Sequence, residues 1–327
     1  MRRPLVMFLV WALGGTFPSV AQLSLEAFGD PFDGKRVEIV WTVPTNKLPQ
    51  SLNTMRVLPA VFTDEVVSNV ISLCEFKEPE QVRLLFRPVT HGKEVSYQEP
   101  QPEKPVLGKS LRIYPADGYI NYLNPKAEAL PRSRVEGVPD EAEALSLAVR
   151  LLPKLGINQD ELAHKPDGKQ LEFLKTSRTM GKFVKNAKEP VEQVIVRGVI
   201  LFRQINNVAF SGAGDCDGLR VEFGNNAQIK ELALTWRNLR TDKTVTLASP
   251  DQIVQRIKGG KAVIRLPEPF ANLQLVKKLT IIDARPYYFA FVGGHRQKIV
   301  YPYVMLTADA DLGFTNQVAW LNCPIVK

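Results

Sequence analysis

The sequence predicts an α+β fold in which antiparallel sheets each carry a helix on one face. A β-hairpin pattern at residues 111–122 precedes an amphipathic helix that begins near residue 139. The same order recurs when a second hairpin pattern, from Leu219 onward, precedes a helix at residue 249. This repetition indicates duplicated hairpin–helix units.

Composition and charge exclude several classes of protein. The chain has 327 residues, of which 45% are hydrophobic and 23% charged, as in globular proteins of about two domains. These values exclude disordered, collagen-like and coiled-coil proteins. The net charge is +8, but the basic residues are dispersed and the densest groups are Lys277-Lys278 and Arg296-Gln297-Lys298. We therefore expect no nucleic-acid partner, because nucleic-acid binders concentrate Lys and Arg on one face.

The N-terminus has the pattern of a secretory signal peptide, residues 1–21. Arg2 and Arg3 precede an apolar run from Leu5 to Leu13, and small residues surround Ala21. The run is shorter than the ~20 residues that span a bilayer, which favours cleavage over the alternative of an uncleaved anchor. The sequence thus predicts an extracytoplasmic protein, periplasmic or secreted, with no stable membrane span after cleavage.

Residues 22–105 are predicted as an N-terminal α/β region. Residues 35–43 alternate as a strand, and Thr63 is the expected N-cap of a helix whose apolar face includes Cys74. From Tyr97 to Pro105 the chain is rich in proline without apolar periodicity, which predicts a linker.

Residues 106–327 carry the duplicated pattern, with an internal division predicted near residues 190–210. We expect Pro139 to be the first residue of the first helix and Gly156 to end it. Ser249 and Gln252 form the pattern of a capping box at the second helix. Strands are predicted at 171–175, 191–205, 219–223, 229–236, 279–283, 287–292, 298–306 and 316–322.

The pattern resembles that of a known group of domains. The segments Val199–Arg203 and Leu219–Gly224, then Trp236-Arg237 and the closing Tyr301-Pro302-Tyr303, are similar to PepSY-type domains. They also resemble extracytoplasmic accessory proteins of the YycH/YycI type, and the whole chain resembles uncharacterised secreted bacterial proteins. The resemblance implies tandem cystatin-like units with binding, inhibitory or regulatory roles. A cleavable signal departs from the YycH/YycI pattern, which has a firm membrane anchor.

The three cysteines do not form a metal-binding pattern. Cys74 is expected as a buried free thiol on a helix. Cys216 lies in a predicted turn and Cys323 in the last strand. A disulfide between these two is one interpretation, and two free thiols is the other.

Catalytic and metal-binding motifs are scarce. The sequence has no Gly-x-Ser-x-Gly, zinc-binding or phosphate-binding motif, so no cofactor is predicted. Ser211 is interpreted as a hairpin residue rather than a nucleophile, and His91, His164 and His295 as surface-loop residues. Asp215 and Asp217 flank a turn in the way a calcium loop begins, but residue Asn226 stands where the closing acid is needed. A plain turn is the preferred interpretation.

The hairpin at residues 287–306 is the best surface candidate. Aromatic residues occupy alternate positions along its two strands, and Arg296 belongs to the basic loop that joins these strands. The candidate binding residues are Tyr287, Phe289, Tyr301, Tyr303 and Arg296. Either these aromatic residues bind a peptide or glycan, or one face of the hairpin is core and the other is ordinary sheet surface, which is the preferred interpretation.

Together these observations predict an exported, non-catalytic protein that binds a protein or peptide partner in the cell envelope. The alternative is an extracellular hydrolase with a site between its two halves.

Overall fold

The fold is α+β, with mostly antiparallel sheets and few helices, as the sequence predicts at this level. The computed structural model describes residues 29–58, 62–76, 83–87, 92–98, 108–128, 134–165, 168–182, 191–212, 218–270, 272–290 and 297–327. The predicted signal peptide lies outside these residues. Within them, no helix has both the length and the apolar character needed to cross a bilayer.

Sheet I has eight antiparallel strands in the order β4-β5-β6-β7-β13-β12-β9-β8. Their bounds are β4 Arg83–Arg87, β5 Gly92–Gln98, β6 Ser110–Tyr114, β7 Tyr119–Leu123, β8 Phe173–Lys182, β9 Val191–Phe202, β12 Gly218–Phe223 and β13 Ile229–Thr235. The two predicted hairpins, β6-β7 and β12-β13, lie side by side because β7 pairs with β13. Strand β5 continues to Gln98 and buries Tyr97, so the predicted linker begins later than Tyr97; residues 99–107 lie outside the described residues.

Two helices, α1 (Asp64–Leu73) and α2 (Glu141–Leu151), pack on one face of sheet I. Thr63 caps α1 as predicted, since its side chain accepts a hydrogen bond from the amide of Val66. Asp140 caps α2 by accepting from the amide of Glu143 at 2.8 Å. Pro139 therefore precedes the cap, and its prediction as the first helical residue was wrong.

Sheet II has eight strands: seven follow the order β1-β15-β19-β18-β16-β11-β10, and the eighth, β2, pairs with β16. Their bounds are β1 Asp30–Phe32, β2 Glu38–Trp41, β10 Gln204–Ile205, β11 Val208–Gly212, β15 Ala262–Arg265, β16 Lys278–Ala290, β18 Pro302–Asp311 and β19 Asn316–Pro324. Helix α3 (Pro250–Lys258) covers one face, buries Ile253 and Ile257, and begins with the predicted capping box.

Strand β16 is continuous where the sequence predicted two strands, at 279–283 and 287–292. Pro286 lies inside it, opposite Val304 of β18. On the other edge, β2 pairs with residues 278–281 and β11 with residues 287–290. Pro286 falls between these two partner segments. Neither β2 nor β11 pairs with it, so on this edge no hydrogen bond is lost because proline lacks an amide hydrogen.

Sheet III combines distant segments: β14 (Leu239–Thr246), β3 (Ser51–Val57) and β17 (Ile299–Val300). Strand β14 was not predicted, nor was β11. Strands from the region 22–105 contribute to all three sheets, since β1 and β2 join sheet II and β4 and β5 join sheet I. The domain boundaries stay a prediction.

Candidate binding cleft

A cleft of about 850 Å³ lies where the chain passes from sheet I to sheet II. The predicted strand 191–205 is divided at this point into β9 and β10, with Arg203 between them. One wall is the loop that leads to β8, with His164, Lys165, Gly168 and Glu172. The other wall is a face of sheet II, with Gln204, Ala209, Ser211, Arg285, Tyr287 and Met305.

The side chains of the sheet II wall share one face of four neighbouring strands. Ala209 of β11 lies between Gln204 of β10 and Tyr287 of β16 in the strand register. Arg285 lies opposite Met305 of β18. Because side chains alternate between the two faces of a strand, these residues all point away from the core that α3 covers.

The buried side chain of Arg203 lies behind the cleft and contacts residues next to both walls. Its side chain is 3% exposed, its Nε donates to Oε2 of Glu161 at 2.7 Å, and its Nη1 donates to the carbonyl of Arg237 at 2.7 Å. The guanidinium carbon lies 4.8 Å from the ring centre of Trp236 and 5.3 Å from that of Phe210. Glu161 precedes the loop wall and Phe210 belongs to β11, so Arg203 contacts residues next to both walls.

The polar groups of the cleft are only partly engaged within the protein. Arg285 Nε donates to Oδ2 of Asp283 at 2.7 Å. Burial disfavours ionisation of Asp283, but the hydrogen bond and charge of Arg285, with a contribution from Lys47, outweigh it and hold the pKa of Asp283 below its usual range. Lys165 Nζ donates to Oε1 of Gln170 and forms no ion pair with a described residue. The cleft thus presents Lys165 and Arg285 from opposite walls.

The predicted aromatic face is mostly buried. Tyr287, Phe289 and Tyr303 are at most 5% exposed and pack with Val263. Burial raises the pKa of Tyr303 to about 12. These three side chains therefore form core rather than an exposed recognition face, although Tyr287 also lines the base of the cleft. Tyr301 is 41% exposed, and Arg296 lies outside the described residues.

The weak metal and disulfide candidates gain no support. Asp215, Asp217 and Cys216 lie outside the described residues. Over the part of the chain that is described, no group of three or more His, Cys, Asp or Glu residues is placed to hold a metal ion. Cys323 is a buried free thiol among the described residues, and a bond to Cys216, one of the two interpretations, stays a prediction.

Both described thiols, Cys74 and Cys323, should resist alkylation in the folded protein. Burial raises the pKa of Cys323 to about 12 and raises the pKa of Cys74 as well, so neither forms the reactive thiolate at neutral pH. We expect iodoacetamide to modify them only after unfolding in guanidinium without reductant, as measured by peptide mass spectrometry. A reduced, unfolded sample is the control. A Cys323 that reacts only after reduction would contradict the free thiol.

Sequence reasoning did not identify this cleft. The sequence predicts His164 as a surface-loop residue and Ser211 as a hairpin residue, yet both line the cleft. Lys165, Glu172 and Arg285 were not singled out at all. The alternation of Arg285 with Tyr287 and Phe289 was the one available signal, since it places Arg285 on the aromatic face. No pattern within a short stretch of sequence places that face next to the loop at residue 164.

Comparisons with known proteins add little. No family model and no curated protein matches the chain. A solved crystal structure of an uncharacterized protein from Eubacterium rectale is similar with a TM-score of 0.44 and 9% sequence identity, covering 87% of this chain and 86% of that one. A likeness of this degree supports no statement about function.

Proposed function

We propose that this is an exported, non-catalytic protein of the cell envelope that binds an extended peptide segment of a partner in the cleft between sheets I and II. The cleft itself carries the proposal, because it joins apolar side chains of the sheet II wall to polar groups from both walls. The signal-like residues 1–21 support export. The PepSY-like and YycH/YycI-like resemblance supports a binding or regulatory role.

The proposal includes tandem cystatin-like units as the finer description of the fold. In support, α1 and α2 cover one face of sheet I, and α3 covers one face of sheet II. The cleft would then lie between the two units.

An extended peptide fits the chemistry of the walls. Gln204, Asn207 and Ser211 can each donate to and accept from peptide backbone groups without selecting a sequence. Ala209 and Met305 add apolar area. The walls thus supply hydrogen-bonding groups for the peptide backbone and apolar area for its side chains, the two features by which proteins bind extended chains.

The test is selection of random decapeptides on the immobilised mature chain, followed by fluorescence anisotropy with a selected peptide. We expect Arg285→Ala to weaken binding about tenfold, because a hydrogen bond from a charged group is lost. Arg240→Ala is the matched control, since Arg240 is an exposed arginine of sheet III outside the cleft. If no peptide is enriched, or if both variants bind alike, the proposal fails.

A second candidate function, an extracellular hydrolase, is favoured by one observation: Ser211 and His164 line the same cleft. Mass spectrometry of the bound peptides distinguishes the two functions. The binding proposal expects intact peptides. Cleavage that disappears in Ser211→Ala would establish the hydrolase instead.

A further inference from the structure

The sheet II wall of the cleft continues beyond the cleft as an open face. Met305 and Thr307 lie on the same face of β18, and Trp320 of β19 lies directly opposite Thr307. Arg265 of β15 lies on the other side of Trp320. Since side chains directly opposite each other in a sheet share a face, this face extends from Arg285 through Met305 and Thr307 to Trp320 and Arg265.

Trp320 is unusually placed for an exposed aromatic residue. It lies within β19, which pairs with β15 on one side and β18 on the other, yet its side chain is 40% exposed. Val318, two residues earlier on the same face, is 42% exposed. On the same face, Tyr287 and Tyr303 near the cleft are buried. The apolar area that remains open is therefore at the Trp320 end.

The charge next to Trp320 is not neutralised within the described protein. Arg265 is exposed and forms no ion pair with a described residue, whereas Arg285 forms an ion pair with Asp283. Asp309 is exposed on the other side, opposite Val318. An acidic group on a bound chain is thus favoured beside Arg265 and disfavoured beside Asp309.

We infer that the bound peptide leaves the cleft across β16 and β18 and ends on Trp320, with an apolar residue on the indole and an acidic residue beside Arg265. This inference rests on the proposed function and adds the path and the chemistry of the ligand. Four strand spacings separate β10 from β19, about 19 Å. At about 3.3 Å per residue, an extended chain crosses this distance in about six residues.

The test compares Trp320→Ala with Phe314→Ala. Phe314 is 66% exposed but lies in the β18–β19 turn, away from this path, where its ring contacts that of Phe270. The probes are a selected decapeptide and its serial truncations from each end, measured by fluorescence anisotropy. Thermal unfolding monitored by circular dichroism verifies that each variant is folded.

We expect Trp320→Ala to weaken binding of the decapeptide about tenfold, Trp320→Phe to retain most of it, and Phe314→Ala to change nothing. The shortest truncated peptide that still responds to Arg285→Ala should bind Trp320→Ala normally. Replacing the acidic residue of the decapeptide with its amide should weaken binding to the wild type but not to Arg265→Ala. If Trp320→Ala binds the decapeptide like the wild type while Arg285→Ala does not, this inference fails and the proposed function stands. A chain that binds no peptide overturns both.

Discussion

Glu161→Ala is expected to lower the free energy of unfolding by about 3–5 kcal/mol, the usual cost of removing one partner of a buried ion pair. The reason is that the substitution removes an ion-pair partner of the buried Arg203 side chain. That side chain is 3% exposed, whereas Glu161 is 32% exposed. Without Glu161 the guanidinium keeps the Arg237 carbonyl and the two aromatic rings but has lost the carboxylate that compensates its charge. Urea denaturation followed by circular dichroism measures the change.

Asp160→Ala is the matched control, because Asp160 is an exposed acid in the same turn. Its replacement should change the free energy of unfolding by less than about 0.5 kcal/mol. A double variant that adds Arg203→Met to Glu161→Ala should recover part of the loss, since the buried charge that Glu161 helps to compensate is removed as well. Equal effects of Glu161→Ala and Asp160→Ala would show that the ion pair between Arg203 and the Glu161 carboxylate does not stabilise the fold.

Local patterns predicted the local structure well. The caps of α1 and α3 depend on residues within one helical turn, and the β6-β7 hairpin depends on a four-residue turn ending in Gly118, whose φ is +63°. Such signals are complete within a short window of sequence. The same holds for the α+β class, which follows from the alternation of these elements.

The assignment of strands to sheets depended on distant partners and was not predictable. The second predicted helix, α3, packs on sheet II although its preceding hairpin belongs to sheet I. Pro286 indicated a break in β16, but the break is absent because of where β2 and β11 pair. The candidate site has the same origin, since His164, Ser211 and Arg285 come from three distant segments of the chain that line one cleft.

A β-bulge shows most clearly why a buried charge escaped sequence reasoning. The register of β12 and β13 shifts between Glu222 and Phe223, which leaves Lys230 as the extra residue of β13. Simple alternation would point Lys230 to the same face as Leu232, into the core under the helices. The bulge redirects it towards Glu222, and its Nζ lies 3.1 Å from Oε2 of that residue.

Glu222→Ala is therefore expected to cost about 3 kcal/mol of unfolding free energy, the upper end for losing hydrogen bonds between charged groups. The carboxylate of Glu222 accepts hydrogen bonds from Arg178, Arg220 and Lys230 on the face of sheet I opposite the helices. Lys230 is 8% exposed, so losing Glu222 leaves its buried ammonium with the longer ion pairs to Glu128 and Glu231, each at 3.7 Å.

Glu231→Ala is the control from the edge of the same cluster. Glu231 is 22% exposed and lies 3.7 Å from Lys230, so its loss should cost about 1 kcal/mol or less. Urea denaturation of both variants, and of Glu222→Ala combined with Lys230→Met, completes the comparison. The double variant should be more stable than the sum of the single effects predicts, because Arg178 and Arg220 are exposed enough to be hydrated once Lys230 is gone. Strict additivity would instead mean that Glu222 stabilises the sheet by packing, and that the bulge at Lys230 has no electrostatic role.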